Sequence, residues 1–337
     1  MSATASASRK PTIALASTLP NVAEAVVDRL KHMALDGLVS VKIVDVESGS
    51  FDGLESAIIV LSEPKVFCSK GLVKVNRTPR LKWFQSTFAG VEALVDQGNG
   101  ENGRTDFLVT RAGGSMGIEI GQYVLGYILA RERKHALCER AQSEKVWAHD
   151  AALYRPLSKV SVGILGLGDI GKDIARLAKG MGVGAVYGWK RGGESVDYVD
   201  ETFTKMAPVL EKCDYIVSVL PSTAATRGLL DNGALASCSK KSPVFINCGR
   251  GDVLGEKSIV EALDNNWISE AILDVFETEP LDKNSELWEH PNVTLTPHVS
   301  GMSHPENIAK LFCSNLRRYL DSSNGELEHV LDWGRGY

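Results

Sequence analysis

Three predicted strands end in residues that could bind an anion and transfer a proton. Arg250 follows the apolar run Val244–Asn247, Glu279 follows Ile272–Val275, and His298 follows Val293–Pro297. In open α/β sheets, ligands bind at the carboxyl ends of the strands. We therefore expect a cation, a carboxylate and an imidazole to meet at one sheet edge.

Each of these residues also has a plainer interpretation. His298 could be a buried histidine with its hydrogen bonds satisfied, and Arg250 could be an ordinary surface ion-pair partner. Glu277 lies two residues before Glu279 and is an alternative carboxylate. The position of His298, directly after a strand and Pro297, favours the chemical role.

A glycine-rich turn, Gly166-Leu-Gly168-Asp-Ile-Gly171, follows the apolar run that begins at Val160. The spacing G-x-G-x-x-G between a strand and a helix is typical of a dinucleotide site. Gly166 would allow the turn, Gly168 would let a pyrophosphate approach, and Gly171 would let the helix pack closely. The N–H groups at the start of that helix would attract the phosphates. A second strand at 185–189 completes the βαβ unit.

The end of that second strand carries Trp189, Lys190 and Arg191. An NAD-binding protein usually has an acidic residue there, roughly 20 residues past the loop. Two cations and an indole could instead bind a 2′-phosphate and cover the adenine. We predict NADPH in preference to NADH, although a solvated Lys-Arg pair is the plainer alternative and Glu194 lies nearby.

Strand and helix patterns alternate along the chain, which predicts a doubly wound parallel sheet of the α/β class in each of two domains. We expect a long connecting helix over 118–138 and a final amphipathic helix over Pro305–Leu320 that returns to the first domain. The other predicted strands are Thr12–Ala16, Val41–Val46, Ala57–Leu61, Trp83–Ser86, Tyr215–Leu220 and Ala271–Asp274.

The composition of the chain excludes some classes of protein. The 337 residues, with 44% apolar and 23% charged side chains, are typical of a two-domain globular protein. A net charge of −5 without a basic block argues against nucleic acid as partner. No apolar run is long enough for a membrane span, and the residues 1–10 lack a secretory h-region. The six cysteines form no C-x-x-C pair and no ligand cluster, so we expect reduced thiols, no metal and a cytosolic location, with organelle targeting left open.

Four motifs stand in the order seen in the D-isomer-specific 2-hydroxyacid dehydrogenase family, which this chain resembles over most of its length. They are G-L-G-D-I-G, N-C-G-R-G-D, D-V-F-E-T-E-P-L and T-P-H-V-S-G. The resemblance implies two Rossmann-like domains with the active site in the cleft between them. Residues 1–110 with 300–337 would form a flavodoxin-like substrate-binding domain, and residues 111–299 the dinucleotide-binding domain.

The resemblance also implies roles for residues. Arg250 would bind the carboxylate and carbonyl of a 2-keto acid, and His298 would protonate the carbonyl oxygen with Glu279 favouring its charged form. Backbone N–H groups of Phe88, Ala89 and Gly90, in a segment like the family's substrate loop, would hold the carboxylate. The cofactor would contact Gly166, Gly168, Asp169, Ile170, Gly171, Trp189, Lys190, Arg191, Leu220, Pro221, Thr226, Cys248 and Asp274.

The segment from Pro297-His-Val through His304-Pro-Glu to Arg335-Gly-Tyr337 is similar to that of the glyoxylate/hydroxypyruvate reductase A subgroup. This similarity implies reduction of glyoxylate, hydroxypyruvate and also pyruvate to D-2-hydroxy acids, with NADPH preferred and NADH accepted. Other family dehydrogenases, for D-lactate, phosphoglycerate or formate, remain alternatives. A dinucleotide-sensing corepressor is an alternative from another class, although the acidic residue expected of an NADH sensor is absent at Lys190.

Family kinship further implies a homodimer, with the helical run 118–138 as the expected contact. The glycine-rich stretch 112–117 is expected to act as a hinge and cofactor contact. Replacement of Gly113 and Gly114 by Ala should then lower turnover by restricting closure.

Overall fold

The computed structural model describes residues 10–48, 54–69, 78–96, 105–321 and 326–337. The chain forms two compact units, residues 1–115 with 303–337 and residues 116–302. These boundaries lie five and three residues beyond the expected ones at 110 and 299. The expectations for the first nine residues lie outside the described part.

The first unit contains a parallel five-stranded sheet of strand order β2-β1-β3-β4-β5. Its strands alternate with helical segments, as the sequence predicts, and the inner strands β3 and β4 are buried along their whole length. The strands are β1 (Thr12–Leu15), β2 (Ser40–Ile43), β3 (Ile59–Ser62), β4 (Trp83–Ser86) and β5 (Leu108–Thr110).

Helices cover the sheet of the first unit. They are α1 (Val22–His32), α2 (Pro64–Ser69), α3 (Glu92–Asp96) and α9 (Pro305–Leu320). The final helix α9 has the predicted bounds and packs beside α1. Trp83 of β4 stacks on Phe312 and Tyr319 of α9, with both ring-centroid distances at 5.4 Å. The predicted return of the last helix to the first unit is therefore confirmed.

The second unit contains a parallel seven-stranded sheet of order β12-β11-β10-β9-β6-β7-β8. The order reverses on the two sides of β6, so the crevice between β6 and β9 is the topological switch point. The strands are β6 (Ser161–Leu165), β7 (Ala185–Trp189), β8 (Glu201–Phe203), β9 (Tyr215–Ser218), β10 (Val244–Asn247), β11 (Glu270–Leu273) and β12 (Val293–Leu295).

The predicted single helix over 118–138 is wrong, because the chain forms two helices there. Helix α4 (Gly117–Glu132) ends at Arg133, and α5 (His135–Ser143) begins after Lys134, whose φ of 53° is left-handed. Helix α4 follows directly after the boundary between the units at residue 115 and packs on α6 inside the second unit. A Cβ at Gly121 would lie 2.5 Å from Leu177, so the missing side chain allows this close approach.

The remaining helices of the second unit are α6 (Asp169–Gly180), α7 (Ala207–Lys212) and α8 (Glu256–Asp264). Apolar side chains of α4 and α6 fill one face of the sheet, and those of α7 and α8 fill the other. Both faces of the central strands are thus buried, which holds the strand ends in fixed positions. Among the described residues, no helix is long and apolar enough to cross a membrane.

Candidate active site

The glycine turn lies between β6 and α6, as the sequence predicts. Gly166 has a φ of 103°, which favours glycine, and its N–H donates to the Trp189 carbonyl oxygen at 3.1 Å. A Cβ at Gly171 would lie 2.0 Å from the Gly166 carbonyl oxygen, so the helix packs directly against the turn. By contrast, a Cβ at exposed Gly168 would meet nothing within 4 Å. The turn therefore leaves its outer backbone open to a ligand.

These features fit a dinucleotide. Asp169 begins α6 and is exposed, while Ile170 packs against the core and anchors the first turn of the helix. The N–H groups at a helix start and the positive end of the helix dipole favour a pyrophosphate at such a turn.

Trp189 and Lys190, at the end of β7, are positioned by β8 and the loop after it. The Trp189 indole N–H donates to the Thr204 carbonyl oxygen at 3.0 Å, and the Lys190 N–H donates to the Phe203 carbonyl oxygen at 3.1 Å. The Lys190 ammonium contacts the Glu194 carboxylate at 2.7 Å. Lys190 and Arg191 thus lie at the strand end expected for the 2′-phosphate.

The segment after β9 closes on itself. Thr226 is 9% exposed, and its hydroxyl donates to the Pro221 carbonyl oxygen at 2.5 Å while accepting from the Thr223 N–H at 2.9 Å. This side chain is thus engaged within its own turn. Leu220 lies against the next loop, because a Cβ at Gly249 would be 2.6 Å from the Leu220 backbone.

Arg250 lies in the loop after β10, and the buried side chain of Asn247 holds this loop. The Asn247 amide donates to the Arg250 carbonyl oxygen at 3.0 Å and accepts from the Gly249 N–H at 3.2 Å. The Arg250 guanidinium donates to the Gly249 carbonyl oxygen at 2.8 Å. A Cβ at Gly251 would lie 1.9 Å from the Phe276 backbone, so this loop abuts the loop that carries Glu279.

His298 and Glu279 form a direct pair. The distance between His298 Nδ1 and Glu279 Oε2 is 2.8 Å, and the other Glu279 oxygen accepts from the Phe276 N–H at 3.1 Å. The His298 side chain is 47% exposed, and since its Nδ1 is engaged, Nε2 is the nitrogen that can meet a substrate. Of the two candidate carboxylates, Glu279 contacts the imidazole. Glu277 lies elsewhere, with Oε2 near the position of a Gly255 Cβ.

Asp274 holds the loop that carries His298 through hydrogen bonds to residues 296–300. It is fully buried, and its carboxylate accepts from the Thr296 hydroxyl at 2.6 Å, the Val299 N–H at 2.9 Å and the Ser300 N–H at 2.8 Å. Its carbonyl oxygen accepts from the His298 N–H at 2.9 Å. His298 has a φ of 55°, a conformation that needs such support. The cofactor contact of Asp274 stays a prediction, and its carboxylate already accepts these three hydrogen bonds inside the protein.

Tyr123 and Thr296, which no sequence pattern indicated, extend this network. The Tyr123 hydroxyl oxygen lies 2.7 Å from Thr296 Oγ1. Thr296 donates its own hydroxyl proton to Asp274, so in this contact the Tyr123 hydroxyl is the donor and Thr296 Oγ1 the acceptor. Burial raises the pKa of the Tyr123 hydroxyl far above its ordinary value. Burial likewise raises the pKa of the Cys248 thiol, which is 6% exposed, so this cysteine is an uncharged packing residue.

The expected substrate loop follows β4 in the first unit. The Phe88 N–H donates to the Ser86 hydroxyl oxygen at 2.9 Å, and the Phe88 carbonyl oxygen accepts from the Ala112 N–H at 3.0 Å. The Phe88 N–H is thus engaged internally, which leaves the N–H groups of Ala89 and Gly90 as the candidates for a carboxylate.

Comparison with known proteins identifies the family. The model of the D-isomer specific 2-hydroxyacid dehydrogenase NAD binding domain matches residues 125–300. This match spans about half of the chain and the whole edge described above. The chain belongs to the D-isomer-specific 2-hydroxyacid dehydrogenase family.

Individual relatives agree with that assignment. Glyoxylate/hydroxypyruvate reductase A of Photorhabdus laumondii is 30% identical over 255 residues, which cover 74% of this chain and 79% of the relative. An NADPH-dependent glyoxylate/hydroxypyruvate reductase from Sinorhizobium meliloti, solved with NADP and sulfate, is 29% identical with a TM-score of 0.80, covering 97% of this chain and 100% of its own. A family member from Xanthobacter autotrophicus, solved with NADPH and MES, is 30% identical with a TM-score of 0.81, covering 98% of this chain and 100% of its own.

Proposed function

We propose that this protein reduces small 2-keto acids, namely glyoxylate, hydroxypyruvate and pyruvate, to D-2-hydroxy acids, with NADPH preferred over NADH. The observation that carries the proposal is the 2.8 Å contact between His298 and Glu279 at the sheet edge that also holds Arg250 and the glycine turn. Relatives named glyoxylate/hydroxypyruvate reductase, one of them solved with NADP, support the substrate class and the cofactor.

Each residue of the edge has a distinct task in this proposal. The planar guanidinium of Arg250 binds the substrate carboxylate and polarises the neighbouring carbonyl. His298, protonated on both nitrogens, gives its Nε2 proton to the carbonyl oxygen as negative charge develops there. The Glu279 carboxylate at Nδ1 stabilises the imidazolium and fixes its ring. The reduced nicotinamide supplies the hydride to C2 when bound.

The cofactor preference rests on the end of β7. Lys190 and Arg191 occupy the position where an NAD-binding protein usually has a carboxylate. A carboxylate there would repel a 2′-phosphate, whereas the two cations attract it. Substitution of Lys190 by Asp together with Arg191 by Ser should abolish the preference for NADPH.

Assays with purified protein test the activity directly. Loss of absorbance at the reduced-nicotinamide band is followed with glyoxylate, hydroxypyruvate or pyruvate, each with NADPH and with NADH. We expect turnover with all three acids and the highest kcat/KM with NADPH. Because one methylene changes binding by about 1–3 kcal/mol at most, the acids should differ by roughly 10- to 200-fold or less. Tight dinucleotide binding without turnover of any small 2-keto acid would contradict the proposal and favour a dinucleotide-sensing protein.

We also propose a homodimer, with a contact surface that differs from the expected run 118–138. The buried side of α4 packs on α6, whereas large apolar side chains are exposed in the segment that follows α5. Trp147 is 93% exposed, and Val146, Leu153 and Tyr154 are each more than half exposed. Such a cluster is typical of an interaction surface. Light scattering should give twice the chain mass of 36.4 kDa.

A cytosolic location stays a prediction from sequence.

A further inference from the structure

Lys190, one of the two cations proposed to bind the 2′-phosphate, already has an anionic partner in its own loop. Its ammonium lies 2.7 Å from Glu194 Oε2, with the lysine side chain 29% and the glutamate side chain 69% exposed. The ammonium keeps Glu194 ionised, since the hydrogen bond and charge of Lys190 lower the pKa of this carboxyl.

The local backbone brings the two groups together. The Lys190 N–H is fixed to β8, and the chain then reverses through Gly192 and Gly193, the latter with a φ of 67°. Glu194 folds back over this turn, because a Cβ at Gly192 would lie 2.4 Å from Glu194 Oε2. A residue with a side chain at position 192 would push the carboxylate away. The two glycines thus permit the Lys190–Glu194 contact.

A cleft next to Lys190 offers space for an anion. Its volume is about 330 Å³, and its lining includes the cations Lys172 and Arg176 and the carboxylates Asp173 and Asp197. Arg176 is engaged with Asp173 at 3.0 Å in the same cleft. A second anion can therefore approach Lys190 without disturbing the strand that holds it.

We propose that Glu194 competes with the 2′-phosphate of NADPH for Lys190 and thereby sets how strongly the protein discriminates NADPH from NADH. This inference rests on the proposed preference for NADPH. A 2′-phosphate is a phosphate monoester and carries about −1.5 to −2 charges near neutral pH, so it outcompetes a single carboxylate but must first displace it. NADH has no 2′-phosphate and leaves the pair intact. Glu194 therefore weakens the binding of NADPH and leaves the binding of NADH unchanged. The ratio of the Kd of NADH to the Kd of NADPH is thus smaller than it would be without Glu194.

Binding measurements isolate this effect from catalysis. Isothermal titration gives the Kd of NADPH and of NADH for the wild type, Glu194→Gln, Lys190→Met and the double variant. Removal of Glu194 should tighten NADPH binding by about two- to fivefold, in line with the modest strength of exposed ion pairs, and change NADH binding by less than about twofold. In the Lys190→Met background, the same substitution should have a smaller effect because the competition is gone.

Glu201→Gln is the matched control, because Glu201 is also exposed and ion-paired, to Lys212 at 3.4 Å. It removes the same charge and should leave both Kd values unchanged. Equal tightening of NADPH and NADH by Glu194→Gln, or no tightening in a protein that prefers NADPH, would overturn the competition while leaving the proposed function in place. A wild type that binds NADH as tightly as NADPH, with a ratio that Lys190→Met does not alter, would overturn the cofactor preference and this inference together.

Discussion

The buried side chain of Asn247 sets the backbone geometry of Arg250, the proposed substrate-binding residue. Its amide bridges the Gly249 N–H and the Arg250 carbonyl oxygen, so it fixes the backbone from which the guanidinium extends. Nothing in the sequence separates it from an ordinary strand-end asparagine. Its role depends on a loop that closes within three residues, and that closure is visible only in the structure.

Replacement of Asn247 by Ala should therefore act on substrate handling through Arg250. The buried Gly249 N–H and the partly buried Arg250 carbonyl oxygen would lose their partner, which costs about 1–3 kcal/mol of stability. We expect KM for glyoxylate to rise and kcat to fall, together by about 10- to 100-fold in kcat/KM, because small misplacement of a binding group is costly. NADPH affinity should remain within a factor of about three. Asn247→Asp, which keeps an acceptor for the Gly249 N–H, should recover part of kcat/KM, and a purely structural role would predict the same loss in NADPH affinity as in kcat/KM.

Gly168 offers a test of the glycine turn that does not disturb the fold. A Cβ there would meet no protein atom, so Gly168→Ala should leave the unfolding midpoint nearly unchanged. It should nevertheless weaken dinucleotide binding by at least about tenfold, because the added methyl would occupy the surface that a pyrophosphate approaches. Gly180→Ala is the control, since a Cβ at that helical position is also unobstructed. Equal Kd values for NADPH in wild type and Gly168→Ala would refute a dinucleotide at this turn.

A charge cluster of Glu132, Arg155 and Asp214 holds α4 to the amino-terminal end of the second unit's sheet. The Arg155 guanidinium donates to Glu132 at 2.6 Å and to Asp214 at 3.0 Å, and the two carboxylates are 9% and 13% exposed. Burial alone would raise the pKa of Asp214, but hydrogen bonds from Ser161 and the Arg155 charge outweigh it and lower the pKa. Burial also opposes the lowering at Glu132, where hydrogen bonds from Arg155 and Tyr215 prevail.

This cluster predicts a pH dependence of stability. Carboxyl groups with a lowered pKa in the folded state stabilise it fully above their unfolded pKa, about 4, and lose this contribution as the pH falls through the folded pKa. Arg155→Met should lower the free energy of unfolding at pH 7 by about 1–3 kcal/mol. The difference from wild type should shrink between pH 4 and 3 in urea titrations. Arg140→Met, which removes an exposed pair at 4.0 Å, should change little at any pH. A difference that stays constant down to pH 3 would contradict this origin.

Sequence patterns predicted the strands well because apolar runs and turn residues mark them directly. The strands at 83–86, 185–189 and 244–247 have the predicted bounds. The break between α4 and α5 was not predictable, since Arg133 and Lys134 are helix-compatible and no glycine or proline marks it. The short strands β5 and β8, at the edges of their sheets, have too few residues to form a pattern. Residues with chemical character at strand ends were predictable, whereas the residues that hold them, such as Asn247 and Tyr123, depend on tertiary contacts.

The C-terminal segment 326–337 lies beside the glycine stretch 112–117, for which the sequence predicts a hinge. The Arg111 N–H donates to the His329 carbonyl oxygen at 3.0 Å, and the Leu331 N–H donates to the Val109 carbonyl oxygen at 2.9 Å. Leu331 is buried in the core of the first unit. A Cβ at Gly113 would lie 2.3 Å from the His329 ring, so this glycine has a packing role whether or not it is also a hinge.

A pair of substitutions separates packing from hinge motion. Gly113→Ala should lower the unfolding midpoint, equivalent to about 1–3 kcal/mol, because the His329 ring must move. Addition of His329→Gly removes that ring and suits the positive φ of 56°, so the double variant should regain most of the stability. If turnover recovers with stability, Gly113 acts through packing. Full stability with low turnover in the double variant would support the hinge.

The most direct test of the whole account is the turnover of glyoxylate with NADPH by His298→Gln, measured beside the Kd of NADPH. We expect a fall in kcat of about 10²- to 10⁴-fold, since general-acid catalysis contributes on that order, with NADPH affinity changed by less than about threefold. His290→Gln, the same substitution at the other end of β12, should retain wild-type turnover. A His298→Gln protein that keeps more than about a tenth of the wild-type kcat would contradict the assignment of His298 as the acid.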